Sequence, residues 1–89
     1  SAGGDLRDLL EAFLNGGLTA NEFSRRFETA YNLDTDREAL TTAEQTSFER
    51  LFDAVVWYSP FPDERAVIPN YKSEAQIEQA AKVARSELG

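Results

Sequence analysis

The carboxylates Asp63 and Glu64, next to Arg65 on a stretch that opens with Pro60 and Pro62, are the nearest approach in this sequence to an acid–base pair. Acid–base catalysis by two carboxyls needs environments that push their proton affinities apart. Beside a proline and an arginine, both read instead as solvated turn residues. A second grouping, Asp34-Thr35-Asp36-Arg37-Glu38, has the opening of a calcium loop. Such a loop needs glycine at its sixth position and a bidentate glutamate at its twelfth. Those positions hold Ala39 and Gln45, so no metal site is expected. The chain has no histidine and no cysteine, which removes imidazole bases, thiol nucleophiles and the common zinc-ligand sets. Neither catalysis nor a cofactor is expected. What remains is recognition chemistry: grouped carboxylates, and a single tryptophan within VVWYSPFPDER, Val55 to Arg65.

Sixteen acids against nine bases give a formal charge of -7. That balance repels phosphate backbones and anionic lipid, so direct contact with nucleic acid or membrane is not expected, whereas a basic protein is attracted. The charge is concentrated centrally. Asp34, Asp36 and Glu38 stand against Arg37, and Glu44, Glu49 and Asp53 against Arg50. Glu49, Asp53 and Trp57 are spaced four apart, which on a helix makes one outward stripe. Two carboxylates leading to a tryptophan have the form of an interface anchor with electrostatic guidance. The competing expectation is that Trp57 folds back onto Pro60 or Phe61.

Four helices must position these groups. Leu6, Leu9, Leu10, Phe13 and Leu14 recur at helical spacing, and Asn15-Gly16-Gly17 supplies a stop, which predicts a helix over about 5–15. Thr19-Ala20-Asn21-Glu22 has the capping-box form and introduces Phe23, Phe27, Ala30 and Tyr31, predicting a second helix over about 20–33, antiparallel to the first. Thr41-Thr42-Ala43-Glu44 repeats the cap before Phe48, Leu51, Phe52 and Val55, and Ser59-Pro60 stops that helix near Tyr58. Ser73-Glu74-Ala75-Gln76 caps the last helix, whose seam is Ile77, Ala80, Ala81, Ala84 and Leu88. With no alternating β-pattern, the expected architecture is an all-α, antiparallel four-helix bundle. In the long loop before the last helix, Phe61 is expected to be structural, with Val67, Ile68 and Tyr71 as a lid over the bundle end.

An acidic helical domain of this size also suggests an acyl carrier, but the Asp-Ser-Leu attachment triplet of that function does not occur. Residues 1–4, Ser-Ala-Gly-Gly, read as a flexible leader or cloning remnant preceding one domain over 5–89, and no apolar run approaches the ~20 residues of a membrane span. A monomer in the cytoplasm is the expectation.

Three pieces of the chain carry a resemblance: FLNGGLTANEFSRRF at Phe13 to Phe27, SFERLFDAVVWYSPFPDER at Ser47 to Arg65, and the closing amphipathic helix. Together they resemble the colicin-D-type immunity protein family of bacterial self-protection proteins, over about Leu6 to Leu88. The distinctive pieces are the glycine turn leading into Ala20 to Phe23, the core pattern Leu51 to Val55, and the aromatic, proline and acidic segment ending at Arg65. Where the family favours an acidic residue just before the tyrosine of the third helix, this chain has Trp57.

The resemblance implies a small helical inhibitor that binds the nuclease domain of a cognate bacteriocin-like toxin, of a class that cleaves transfer RNA, and covers its active site. The partner-binding set expected from charge, stripe and resemblance is Asp34, Asp36, Glu38, Glu49, Asp53, Trp57, Asp63 and Glu64. The other function class compatible with these residues is a generic acidic helical module that binds or regulates a different protein.

Overall fold

The computed structural model describes residues 2–89. The chain is all-α, with five α-helices: α1 Gly4–Leu14, α2 Ala20–Thr29, α3 Thr42–Val55, α4 Pro62–Val67 and α5 Glu74–Leu88. The buried seams match the apolar spacing. Leu6, Leu10 and Phe13 of α1, Phe23 and Phe27 of α2, Phe48, Leu51 and Val55 of α3, and Ile77, Ala81 and Ala84 of α5 meet in one core. Small side chains along α5 let that helix lie close against α3.

The helix boundaries follow from their caps. At the end of α1, Gly16 takes φ 83°, the left-handed region open to glycine, its N–H donating to the Phe13 carbonyl while the Gly17 N–H donates to that of Ala12. The three capping boxes form as their spacing predicts. Thr19 and Glu22, Thr41 and Glu44, and Ser73 and Gln76 each exchange reciprocal bonds between side chain and backbone.

Three features depart from the expected course. The second helix does not run evenly to Leu33: after Thr29 it widens into a π turn over Ala30–Asp34, followed by a 3-10 turn at Arg37–Ala39. Tyr31 in that wide turn stacks on Phe52 of α3 at 4.6 Å, while Leu33 is left 78% exposed. The third helix tightens after Val55, with the Trp57 and Tyr58 N–H groups donating to the carbonyls of Ala54 and Val55. This frees the Trp57 carbonyl to accept from the Lys72 N–H at 2.8 Å, and the Ser59 N–H donates back to the Lys72 carbonyl at 3.0 Å. Finally, the long connection contains α4, a fifth helix that begins with a proline at its first turn. Ala2 packs against the core and Gly3 is buried at the start of α1, so the chain is already anchored there.

Gly3 allows a close approach that spacing alone does not reveal. A methyl group at that position would come within 2.5 Å of Glu44 Oε2. Glu44 is buried; its Oε1 accepts from the Thr41 N–H at 3.0 Å and its Oε2 from Arg7 Nε at 3.1 Å, tying α1 to α3. The Thr41 N–H is the largest influence holding its carboxyl below the ordinary value of 4.5, with Arg7 adding to it and burial opposing. A folded pKa below the unfolded one means stability that is complete above about pH 4.5 and lost as the pH falls through the folded value. Glu44→Gln is therefore expected to cost about 1–3 kcal/mol at neutral pH. In urea titrations the gap between variant and parent should narrow steadily below pH 4.5. A gap that stays constant down to acid pH would show that the carboxylate charge is not what is lost.

Candidate functional site

The central carboxylates are gathered on one side of the molecule by two fasteners. The Tyr31–Phe52 stack holds the π turn on α3. The Gln45 side-chain amide donates to the carbonyls of Arg37 and Leu40, each at 3.3 Å, holding the following loop against the start of the same helix. Gln45, Glu49 and Asp53 are spaced four apart, so Asp36 and Glu38 on the loop adjoin the beginning of the stripe that Glu49 and Asp53 continue. All four carboxylates are on exposed residues.

Arg37, the loop's one cation, is drawn away from them. Its guanidinium lies 5.0 Å from the centre of the Tyr31 ring, a cation–π arrangement on the ring that also contacts Phe52. The ion pairs among the described residues join Arg7 to Glu44, Arg50 to Glu87 and Lys82 to Glu78. None uses Asp36, Glu38, Glu49 or Asp53. Arg50, one residue along from Glu49, is committed to Glu87 of α5 at 2.6 Å, which with Ser47 holds the Glu87 carboxyl below its ordinary range. Arg50 is thus matched by Glu87, and Arg37 makes no ion pair among the described residues, so the two loop and two stripe carboxylates Asp36, Glu38, Glu49 and Asp53 outweigh the single unmatched Arg37.

The other candidate residues fall outside this group. Asp34 lines a groove of about 890 Å³ between α1 and α2, together with Asp5, Asp8, Arg25 and Arg26. Ala12 of α1 and Leu18 of the connection also line it. Asp63 and Glu64 sit on α4, beyond Trp57. Glu64 is exposed yet accepts from the Ser59 hydroxyl at 2.6 Å, so its carboxylate already has an internal partner.

Trp57 combines the two expected arrangements. Its ring is 5.8 Å from that of Tyr71 at a 45° tilt, and the residue remains 40% exposed. Its aromatic partner among the described residues is Tyr71. Of the expected lid residues only Tyr71 is half-buried, against Trp57, while Val67 is 75% and Ile68 40% exposed; Phe61, expected to be structural, is 58% exposed. The physical reason is that α4 is secured by polar bonds. Buried Ser59 accepts from the Phe61 N–H and donates to Glu64, and its carbonyl accepts from Arg65 at 2.7 Å. With those links made, no residue of α4 is buried. Sequence reasoning missed Phe61, Val67 and Ile68 as surface groups because apolar residues in a long connection ordinarily cover the core. The available signal was Glu64-Arg65, whose charged groups supply the internal bonds that apolar burial would otherwise supply.

Among the described residues, no helix is long and apolar enough to cross a membrane. Comparison with protein-family models, with curated proteins and with solved structures finds no match for this chain.

Proposed function

We propose that this chain is a stoichiometric, non-catalytic inhibitor of a basic nuclease toxin domain, of the kind that cleaves transfer RNA, acting in the cytoplasm as colicin-D-type immunity proteins do. The observation that carries the reading is the acidic side itself. Asp36, Glu38, Glu49 and Asp53 are exposed and outside the ion pairs among the described residues, while Arg37 is held on Tyr31 and Arg50 on Glu87. A ribonuclease must be basic where it grips phosphates, and carboxylates displayed on a fixed helix and its adjoining loop can compete for that groove by the same attraction. Trp57, just beyond the end of α3 and exposed, contributes an aromatic contact of the kind that concentrates binding energy. In this reading α1, α2, α3 and α5 form the antiparallel four-helix unit of that family, and α4 is a short addition at one end.

The test is to look for a basic nuclease domain encoded beside this chain's gene and to co-express the two. Survival of cells that make both proteins, with intact transfer RNA and a one-to-one complex, is the expected result. Death at the same rate with and without the chain would overturn the proposal and leave the generic acidic binding module as the better reading.

A further inference from the structure

Among the described residues, seven large apolar side chains remain exposed, and five of them, Val56, Trp57, Phe61, Val67 and Ile68, fall within one short stretch. The backbone folds that stretch back on itself. Across its base the Lys72 N–H donates to the Trp57 carbonyl and the Lys72 carbonyl accepts from the Ser59 N–H, Tyr71 brings its ring to Trp57, and the Tyr71 N–H donates to the Ile68 carbonyl. One end of the molecule therefore carries apolar surface on the order of a few hundred Å², the size at which a patch on a monomer is often functional.

We infer that this end, centred on Trp57 and α4, is the apolar heart of a docking surface for a basic protein segment, and not a face for self-association. The inference rests on the reading of a basic protein partner, and charge complementarity selects the occupant. Asp53 and Asp63 border the patch, are exposed, and lie outside the ion pairs among the described residues. Of the two cations at this end, Arg65 is turned onto the Ser59 carbonyl and Lys72 lies at the base of the fold-back. A stable self-dimer needs about 800 Å² from each partner, more than the patch supplies. The remainder would come from the carboxylate-bearing surface beside it, and two chains of charge -7 would oppose one another there. A segment presenting leucine-like side chains flanked by lysine or arginine satisfies both the apolar centre and the acidic border.

Trp57 is the only tryptophan, so its fluorescence reports coverage of the patch directly. The probe is a synthetic amphipathic helical peptide of leucine and lysine, with a serine–lysine peptide of equal charge as its comparison. The leucine–lysine peptide should shift Trp57 emission to the blue and saturate, the serine–lysine peptide should bind at least roughly tenfold more weakly, and Phe61→Ser with Val67→Ser should weaken the leucine–lysine peptide by a similar factor. Equal binding of the two peptides to the unmodified chain would overturn the inference, since charge alone would then suffice. A blue shift with rising protein concentration alone, accompanied by dimers in sedimentation, would overturn it in favour of self-association. Co-expression separates the two readings. If the peptide results hold but cells are not protected, the docking surface stands and the nuclease reading falls. If the double-serine variant protects cells and binds the nuclease domain like the parent, the apolar surface falls and the nuclease reading stands.

Discussion

Phe27→Ala is expected to lower the melting temperature by about 12–40 °C, enough to leave much of the chain unfolded at 37 °C. Phe27 is fully buried at the junction of α2 with α3, its ring centre 5.6 Å from that of Phe23, 6.2 Å from Tyr31 and 6.1 Å from Phe48. Removing a buried phenylalanine costs about 3–5 kcal/mol in transfer and cavity terms, and the loss of these tilted and stacked contacts adds to it. Domains of this size have total stabilities of about 4–13 kcal/mol, and each kcal/mol moves the midpoint by about 4–8 °C. The effect also reaches the acidic side. Tyr31 leans on Phe27 and holds both Phe52 and Arg37, so slackening Phe27 loosens the ring that positions the Asp36–Glu38 loop. Leu33→Ala, at a position 78% exposed, should change the midpoint by only a few degrees at most. Circular dichroism melts of the two variants decide the matter, and a Phe27→Ala protein melting within about 5 °C of the parent would contradict the central place given to this ring.

How far the sequence revealed this structure depended on whether a feature was local. The three capping boxes and the glycine stop after α1 are bonds between residues three or four apart, and their letters specify them. The seams of α1, α3 and α5 were legible for the same reason. The π turn was not, because Tyr31 fits an even helical repeat equally well; only its stacking on Phe52 shows why the backbone widens there. Glu44 was legible as the partner of Thr41 but not of Arg7, which lies 37 residues away. The α4 segment was misread since apolar letters do not say whether a core has room for them. Here the core is closed by the four longer helices, and Ser59 holds α4 outside it through Glu64 and Arg65.

The same distinction applies to the candidate binding residues. The spacing of Glu49, Asp53 and Trp57 specified a stripe; Glu49 and Asp53 are exposed on α3, whereas Trp57, also exposed, lies beyond the helix end at Val55, where the backbone tightens. Spacing did not show that Arg37 rests on Tyr31 or that Arg50 is paired with Glu87, and the latter pairing is what keeps Arg50 from compensating Glu49 and Asp53. Nor did it separate Asp34, which lines the α1–α2 groove, from Asp36 and Glu38.

Reversing that charge should slow association with the nuclease domain far more than it changes dissociation. Asp36→Lys with Asp53→Lys alters one residue of the loop and one of the α3 stripe, both exposed and both outside the ion pairs among the described residues, so the melting temperature should hold. Steering by a field of one sign raises encounter rates by about 10–10³-fold, and removing it should lower the association rate by at least about tenfold at low salt. For the parent, that rate should fall several-fold as ionic strength rises past 0.1 M, where the screening length is about 10 Å; for the double-lysine variant the dependence should flatten or change sign. Asp36→Asn with Asp53→Asn should fall between the two, because neutralisation removes attraction without adding repulsion. Phe61→Ser with Val67→Ser should do the opposite, leaving the encounter rate intact and speeding dissociation, since an apolar contact forms only after the partners have met. Rapid-mixing measurements with the nuclease domain separate these cases. If the double-lysine variant associates as fast as the parent and with the same salt dependence, the acidic side of α3 does not face the partner, whatever α4 does.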